Sequence, residues 1–121
     1  MKVYLDFDGT MVKHMYPAVG EPNPKAIEVV KSLFSKGWKI HLNTYRADIG
    51  FINEALDYIN KAKIPLESTF LFKLKPPEWD INKAKKESTL WIDDIAPFIP
   101  MKNSMVDWEV IEEQLKMVKI L

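Results

Sequence analysis

The sequence predicts an α/β fold with a mainly parallel central sheet, because short apolar strands alternate with amphipathic helices along the chain. The length of 121 residues suits one domain. A content of 47% hydrophobic and 28% charged residues is typical of a globular protein and not of a disordered chain. We therefore expect a single domain over residues 1–121.

The composition excludes several classes of function. Lysine plus arginine and aspartate plus glutamate each number 17, so the chain lacks the basic field that non-specific nucleic-acid binding requires. The absence of cysteine excludes disulfides, thiolate metal sites and a cysteine nucleophile, and it fits a reducing compartment. No segment has the length of apolar sequence typical of a signal peptide or a membrane span. We expect a soluble, cytoplasmic domain without membrane association.

The first third of the chain predicts a strand, a loop and a helix. Residues 2–7 form an apolar run of the kind seen in buried parallel strands. Residues 11–23 contain two prolines and a glycine, which favour a loop or a small hairpin. Asn23 followed by Pro24 predicts the start of a helix, and Gly37 supplies its C-terminal stop.

The rest of the chain continues the alternation. The remaining strands are predicted over residues 38–43, 69–72 and 89–92. Asp48 and Asp107 are each expected to cap a helix, and residues 73–82, with two central prolines, are expected to form a loop. A further strand near residues 98–99 stays an open alternative. This order predicts a three-layer, Rossmann-like sandwich whose sheet is covered on both faces.

Ligands of such sheets bind beyond the carboxyl ends of the strands, where the strand order reverses. The residues at these ends are Asp6, Asp8, Thr44, the segment 73–85, Asp93 and Asp94. Acidic residues therefore follow both the first and the fourth strand. An acidic pair at one strand end is usually the start of a turn, but two pairs at neighbouring strand ends would crowd carboxylates unless a cation lies among them. Carboxylate oxygens suit Mg²⁺.

The motif Asp-Phe-Asp-Gly-Thr at residues 6–10, directly after an apolar strand, resembles the signature of the haloacid dehalogenase-like (HAD-like) phosphohydrolases. Thr44 after the second strand, a lysine before the fourth strand and Asp93-Asp94 after it resemble the other motifs of this family, in the same order. A calcium-binding loop would need further oxygen ligands after the first two acids, and the sequence does not supply them. The resemblance extends from residue 2 to about residue 94.

The resemblance implies a Mg²⁺-dependent phosphatase that hydrolyses a phosphomonoester through an aspartyl-phosphate intermediate. Asp6 would attack phosphorus as the nucleophile. The side chain of Asp8 would protonate the leaving oxygen and then deprotonate the attacking water. Mg²⁺ would be held by the carboxylate of Asp6, the backbone carbonyl of Asp8, and Asp93 or Asp94.

The phosphate-binding residues implied by the resemblance are Thr44, the backbone N–H of Tyr45 and one lysine. The region before the fourth strand offers five lysines, of which most must be solvated surface residues. Lys83 lies ten positions before the final acidic pair, a spacing that resembles the deoxynucleotidase branch of the family. We therefore select Lys83, with Lys85 as the alternative.

The sequence has no room for the cap domain that many members of the family insert near the site. The site is therefore expected to be open, and water would be excluded by residues 11–22, by a second copy of the chain or by a large substrate. His14 and Tyr16 would line its mouth or pack within the loop. Trp79 would stack on the substrate or form a rigid turn, and Arg46 would reach the substrate or form a surface salt bridge.

The expected substrate is a small phosphorylated molecule, and the Lys83 spacing together with Trp79 suggests a nucleotide-like one. Two other classes remain open. The first is a non-catalytic phosphate- or ligand-binding or regulatory module on the same fold. The second is a phospho-acceptor, receiver-like domain. Such a domain would have its phosphorylated aspartate after the third strand, where this sequence has Phe72 and Lys73.

Overall fold

The computed structural model describes residues 1–121 and has a parallel, four-stranded sheet at its centre, flanked by helices. The strands are β1 (Lys2–Leu5), β2 (Lys39–Leu42), β3 (Ser68–Thr69) and β4 (Thr89–Ile92). Their order in the sheet is β3-β2-β1-β4, and every neighbouring pair is parallel. The predicted α/β class with a parallel sheet is thus confirmed. Since β1 lies between β2 and β4, the strand order reverses at β1.

Five helices accompany the sheet. They are α1 (Ala26–Ser35), α2 (Arg46–Ile49), α3 (Ile52–Lys61), α4 (Ile81–Glu87) and α5 (Trp108–Met117). Strands β5 (Met101–Lys102) and β6 (Met105–Val106) form a separate antiparallel hairpin. None of the helices combines the length and the apolar character that crossing a bilayer requires.

The core forms because alternate strand residues are apolar and point to one face. Val3 and Leu5 of β1 are fully buried, as are the corresponding residues of β2 and β4. Leu33 of α1 and Ile111 of α5 belong to the same cluster of 25 buried hydrophobic residues. Burial of one such side chain stabilises the fold by about 1.5–3 kcal/mol. The final helix therefore packs on the same core as the sheet.

Two of the predicted helix starts differ from the structure, and a third agrees with it. Helix α1 begins at Ala26, two residues after Pro24, because Lys25 adopts the left-handed conformation with φ 69°. Asp48 lies inside α2 and caps no helix. The cap predicted at Asp107 is confirmed, since its carboxylate accepts a hydrogen bond from the N–H of Val110.

Two elements differ more strongly. The third strand ends at Thr69, so residues 70–80 form an irregular segment instead of a longer strand. Helix α4 follows this segment and begins where Asp80 accepts a hydrogen bond from the N–H of Lys83 at 3.0 Å. The strand considered near residues 98–99 is absent; the hairpin at 101–106 stands in its place, outside the main sheet.

Candidate functional site

Three aspartates meet at the carboxyl edge of the sheet. The register of β1 and β4 pairs Leu5 with Ile92, so the next residue of each strand, Asp6 and Asp93, lies at the same height. Carboxylate oxygens of Asp6, Asp93 and Asp94 all lie within 4.8 Å of one another. Asp6 and Asp93 are buried, whereas Asp94 is partly exposed. We call these three residues the acidic cluster.

A buried lysine bridges two members of the acidic cluster. The ammonium of Lys73 lies 3.1 Å from Oδ1 of Asp6 and 2.9 Å from Oδ2 of Asp93. Its side chain is only 2% exposed. Lys73 was one of the five lysines before the fourth strand, but it was not the one selected.

The structure places Lys83 and Lys85 outside the site. Lys83 is exposed on α4, beside Trp79 and Trp91. The ammonium of Lys85 donates to the carbonyl of Lys119, at the far end of the chain. Trp79 does not line the pocket beside the acidic cluster, and its indole N–H donates to Gln114 at 2.7 Å. Lys83, which was predicted from its spacing to Asp93, therefore makes no ion pair with Asp6 in the structure.

Lys73 reaches the acidic cluster because side chains fix the irregular segment that contains it. The amide of Asn43, which follows β2, makes two hydrogen bonds to the backbone of Leu74: its Nδ2 donates to the carbonyl at 2.9 Å and its Oδ1 accepts from the N–H at 2.8 Å. Asp48 accepts from the N–H of Lys73 at 3.0 Å. Sequence reasoning missed Asn43, and an asparagine at a strand end was the only signal.

Burial and like charge perturb the acidic cluster. Burial, and then the neighbouring charge of Asp93, raise the pKa of Asp6 well above its ordinary value, although Lys73 acts in the opposite direction. Burial also raises the pKa of Asp93. Burial alone would lower the pKa of Lys73, but the charges of Asp6 and Asp93 outweigh it and raise that pKa. One ammonium thus faces three carboxylates, and the cluster lacks matching positive charge.

The structure explains why residues 9 and 10 of the motif are glycine and threonine. Gly9 has φ 78°, and a Cβ atom at this position would overlap the carboxylate of Asp94. The hydroxyl of Thr10 donates to Oδ2 of Asp6 at 2.9 Å and accepts from the N–H of Asp94 at 3.2 Å. The two residues therefore hold the strand ends of β1 and β4 together.

Asp8 forms a two-bond ion pair with Arg46. Nε of Arg46 donates to Oδ2 of Asp8 at 2.7 Å, and Nη2 donates to Oδ1 at 2.9 Å. The side chain of Arg46 is 1% exposed and that of Asp8 is 11% exposed. Arg46 was expected either to reach the substrate or to form a surface salt bridge, and the structure shows a buried pair instead.

The remaining donors of Arg46 bind backbone carbonyls. Nη1 donates to Pro17 and Phe51, and Nη2 donates to Ala18. The guanidinium also lies over the ring of Tyr16, 5.1 Å from its centre. Arg46 therefore joins the loop after β1 to the turn between α2 and α3.

A pocket of about 220 Å³ opens beside the acidic cluster. The lining residues are Asp6, Asp8, His14, Tyr16, Thr44, Tyr45, Arg46, Ile49, Lys73, Asp94 and Ile95. We call it the site pocket. The backbone N–H groups of Asp8 and Tyr45 donate to no acceptor within the protein, so both can bind an oxygen of a ligand. The predicted residues Asp6, Asp8, Thr44, Tyr45 and Asp94 thus line one pocket, with Asp93 buried behind them.

No protein-family model matches the chain, and no curated protein matches it either. Among solved structures, the chain is similar to that of a conserved protein coded by a locus from Bacteroides thetaiotaomicron. The two sequences are 26% identical, the match covers 97% of this chain and 90% of the other, and the TM-score is 0.66. Over nearly its whole length, the chain is therefore similar in fold to that conserved protein.

Proposed function

We propose that the protein is a Mg²⁺-dependent phosphatase of the HAD-like type, a capless Rossmann-like domain that hydrolyses a phosphomonoester through an aspartyl-phosphate on Asp6. The observation that supports this most is the position of Asp6. Its buried carboxylate lies at the switch point of the sheet, among Asp93, Asp94 and Lys73 and beside a pocket with unpaired N–H groups. A nucleophile for phosphoryl transfer needs such a combination of positive charge and hydrogen-bond donors.

The acidic cluster suits a divalent cation. Its donors are three hard carboxylate oxygens, which Mg²⁺ prefers. Oδ2 of Asp93 is buried, and its ion-pair partner is the ammonium of Lys73 at 2.9 Å, which Asp93 shares with Asp6. We propose that Asp6, Asp93, Asp94 and the backbone carbonyl of Asp8 would hold Mg²⁺. When bound, the ion would supply the positive charge that lets an anionic carboxylate approach an anionic phosphate.

The protein's own groups would act in two steps. The carboxylate of Asp6 would form a bond to phosphorus while the bond to the leaving oxygen breaks, and water would then displace Asp6 from phosphorus. Thr44 and the N–H of Tyr45 would bind the oxygens of the phosphoryl group. Lys73 would take the role assigned above to Lys83, because its ammonium is the one that contacts Asp6. Asp8 is the candidate for proton transfer.

One observation favours a second candidate function. Both carboxylate oxygens of Asp8 accept hydrogen bonds from Arg46, so proton transfer by Asp8 would have to disturb this pair. A module that binds a phosphorylated ligand without hydrolysing it would not need that step. The receiver-like alternative would require an acid directly after β3, where Phe70 and Leu71 lie.

Hydrolysis of p-nitrophenyl phosphate with Mg²⁺ tests the proposal. We expect turnover by the wild type and a loss of about 10³-fold or more in kcat for Asp6→Asn, since the amide is not a nucleophile. Asp57→Asn is the matched control, because Asp57 is an exposed partner of Lys61 on α3. Equal residual rates for the wild type and Asp6→Asn would favour the binding module.

A further inference from the structure

We propose that the site pocket selects phosphoryl compounds in which the group bonded to the phosphoryl is uncharged and aromatic or apolar. This group would pack against the ring of Tyr45. The inference rests on the proposed function for the phosphoryl end of the ligand. It goes beyond that function in naming the class of the remaining group. Two separate observations support this class of ligand: the cations of the pocket are already paired, and the outer wall of the pocket is apolar and exposed.

The cations of the site pocket have no capacity left for a second anionic group. A guanidinium has five N–H donors. All five of Arg46 are used, two by Asp8 and three by the carbonyls of Pro17, Ala18 and Phe51. The ammonium of Lys73 is buried between two carboxylates. Apart from these two side chains and the imidazole of His14, no basic side chain lines the pocket.

The pocket wall also carries a carboxylate that no basic side chain pairs with. Asp94 lines the pocket, and no basic side chain forms a salt bridge with its carboxylate. Mg²⁺ bound as proposed would compensate Asp94, but the pocket would still have no basic side chain left to pair with a second carboxylate or phosphate of a ligand. An anionic group without such a partner is unfavourable in a partly enclosed site.

The outer wall of the pocket is apolar and uncovered. Tyr45, Ile49 and Ile95 line it and are 51%, 60% and 50% exposed. Exposed apolar side chains that converge on one pocket are typical of a surface that a ligand covers. A single ring fits better than an extended group, since 220 Å³ is below the usual 300–1,000 Å³ of small-molecule sites.

Tyr45 lies between the proposed phosphoryl position and the apolar outer wall of the pocket. The ammonium of Lys73 lies 4.5 Å from the centre of its ring, which places the ring next to the proposed phosphoryl position. A group bonded to the phosphoryl would extend along this ring. The side chain and the backbone of Tyr45 therefore have separable roles, stacking for the former and phosphate binding for the latter.

Two phosphonates that differ only in the group on the methylene carbon test the proposal without turnover. We would measure by calorimetry, at pH 8 with Mg²⁺, the Kd of benzylphosphonate and of phosphonoacetate for the full chain. Benzylphosphonate is expected to bind at least about tenfold more tightly, from stacking and the absence of a second charge. Equal or tighter binding of phosphonoacetate, or no binding of either, would overturn the proposal.

Variants at Tyr45 assign the preference to the ring. Tyr45→Ala, which keeps the backbone N–H, is expected to lose most of the preference, whereas Tyr45→Phe should retain it. Phe98→Ala is the matched control, because Phe98 is 82% exposed and does not line the pocket. A preference that survives Tyr45→Ala unchanged would contradict the assignment.

A turnover experiment distinguishes whether the ligand's ring belongs to a nucleoside or to a simple aromatic group. Adenosine 5′-monophosphate and ribose 5-phosphate share the same leaving oxygen, so a higher kcat/KM for the former would indicate a nucleoside. Phenyl phosphate hydrolysed in preference to both would indicate a simple aromatic group. If benzylphosphonate binds as expected but no ester is hydrolysed, the proposed phosphatase activity is wrong while the selectivity of the pocket stands.

Discussion

Two buried charge clusters lie side by side at the carboxyl edge of the sheet, and they differ in how completely their charges are matched. In the pair of Asp8 and Arg46, one carboxylate meets one guanidinium, and backbone carbonyls take every remaining donor. In the acidic cluster, three carboxylates share the single ammonium of Lys73, and burial raises the pKa of Asp6 and Asp93.

The difference indicates that Asp6 and Asp8, which are only two residues apart in the chain, have different roles. A saturated ion pair is complete within the protein and joins segments of backbone. The acidic cluster has more carboxylates than ammonium groups, so its charge is balanced only when a cation binds. We therefore propose that the Arg46 pair supports the site, that the acidic cluster is its reactive part, and that Asp8 would take part in proton transfer only when the pair is disturbed. The following experiments test this distinction, from the largest expected effect to the smallest.

Removing the guanidinium should destabilise the fold strongly. Arg46→Met would leave the buried carboxylate of Asp8 and three carbonyls without donors, and we expect a loss of about 3–5 kcal/mol in the free energy of unfolding. Urea denaturation measures it. Lys61→Met, which breaks an exposed pair with Asp57, is the control and should change stability by less than about 0.5 kcal/mol. A change at Arg46 as small as that of the control would show that the pair does not support the site.

Removing the ammonium should affect chemistry. Lys73→Met is expected to lower kcat/KM for p-nitrophenyl phosphate by about 10²–10³-fold, because Lys73 is the cation in contact with Asp6. Lys83→Met, on the exposed surface of α4, serves as the matched variant and should leave kcat/KM unchanged. If Lys83→Met proved the more damaging of the two, the role would return to Lys83.

Asn43 should act through Lys73. Asn43→Ala removes both hydrogen bonds to Leu74, and we expect the resulting displacement of Lys73 to lower kcat/KM by roughly tenfold. The double variant Asn43→Ala/Lys73→Met should then be no worse than Lys73→Met alone. Asn60→Ala, exposed on α3, is the control. Additive losses in the double variant would mean that Asn43 has a separate effect.

The pH dependence of stability should distinguish the two clusters without any substrate. Because the pKa of Asp6 is raised in the folded state, the unfolded chain ionises first as the pH rises above about 4. In EDTA, the stabilising contribution of protonated Asp6 is therefore lost as the pH rises towards its folded-state pKa.

Asp6→Asn removes this dependence. We expect its Tm to exceed that of the wild type by about 5 °C at pH 8, with a smaller difference at pH 4. Asp8→Asn, which breaks a matched pair, should instead lower Tm. Thermal unfolding in EDTA measures both. If the difference in Tm between Asp6→Asn and the wild type did not grow with pH, the acidic cluster would not carry an excess of negative charge.

The sequence was sufficient to predict the α/β class and the order of the four central strands along the chain. It predicted that Asp6 would meet Asp93 and Asp94 if the first and fourth strands were neighbours, and the structure shows that they are. The strand predictions depend on local signals. Apolar alternation predicts a strand, and the carboxyl ends of adjacent parallel strands necessarily lie at one edge. The motif at residues 6–10 is local in sequence, and Thr10 donates to Asp6 within it, but the need for glycine at position 9 comes from the distant carboxylate of Asp94.

Only the tertiary structure decided which basic side chains complete the site. Lys73 contacts Asp6 across 67 positions of sequence, Arg46 contacts Asp8 across 38, and Asn43 binds Leu74 across 31. None of these contacts follows from spacing, because an irregular segment such as residues 70–80 has no periodicity from which the direction of a side chain can be read. Its position depends on hydrogen bonds to distant side chains, and these exist only once the sheet has formed.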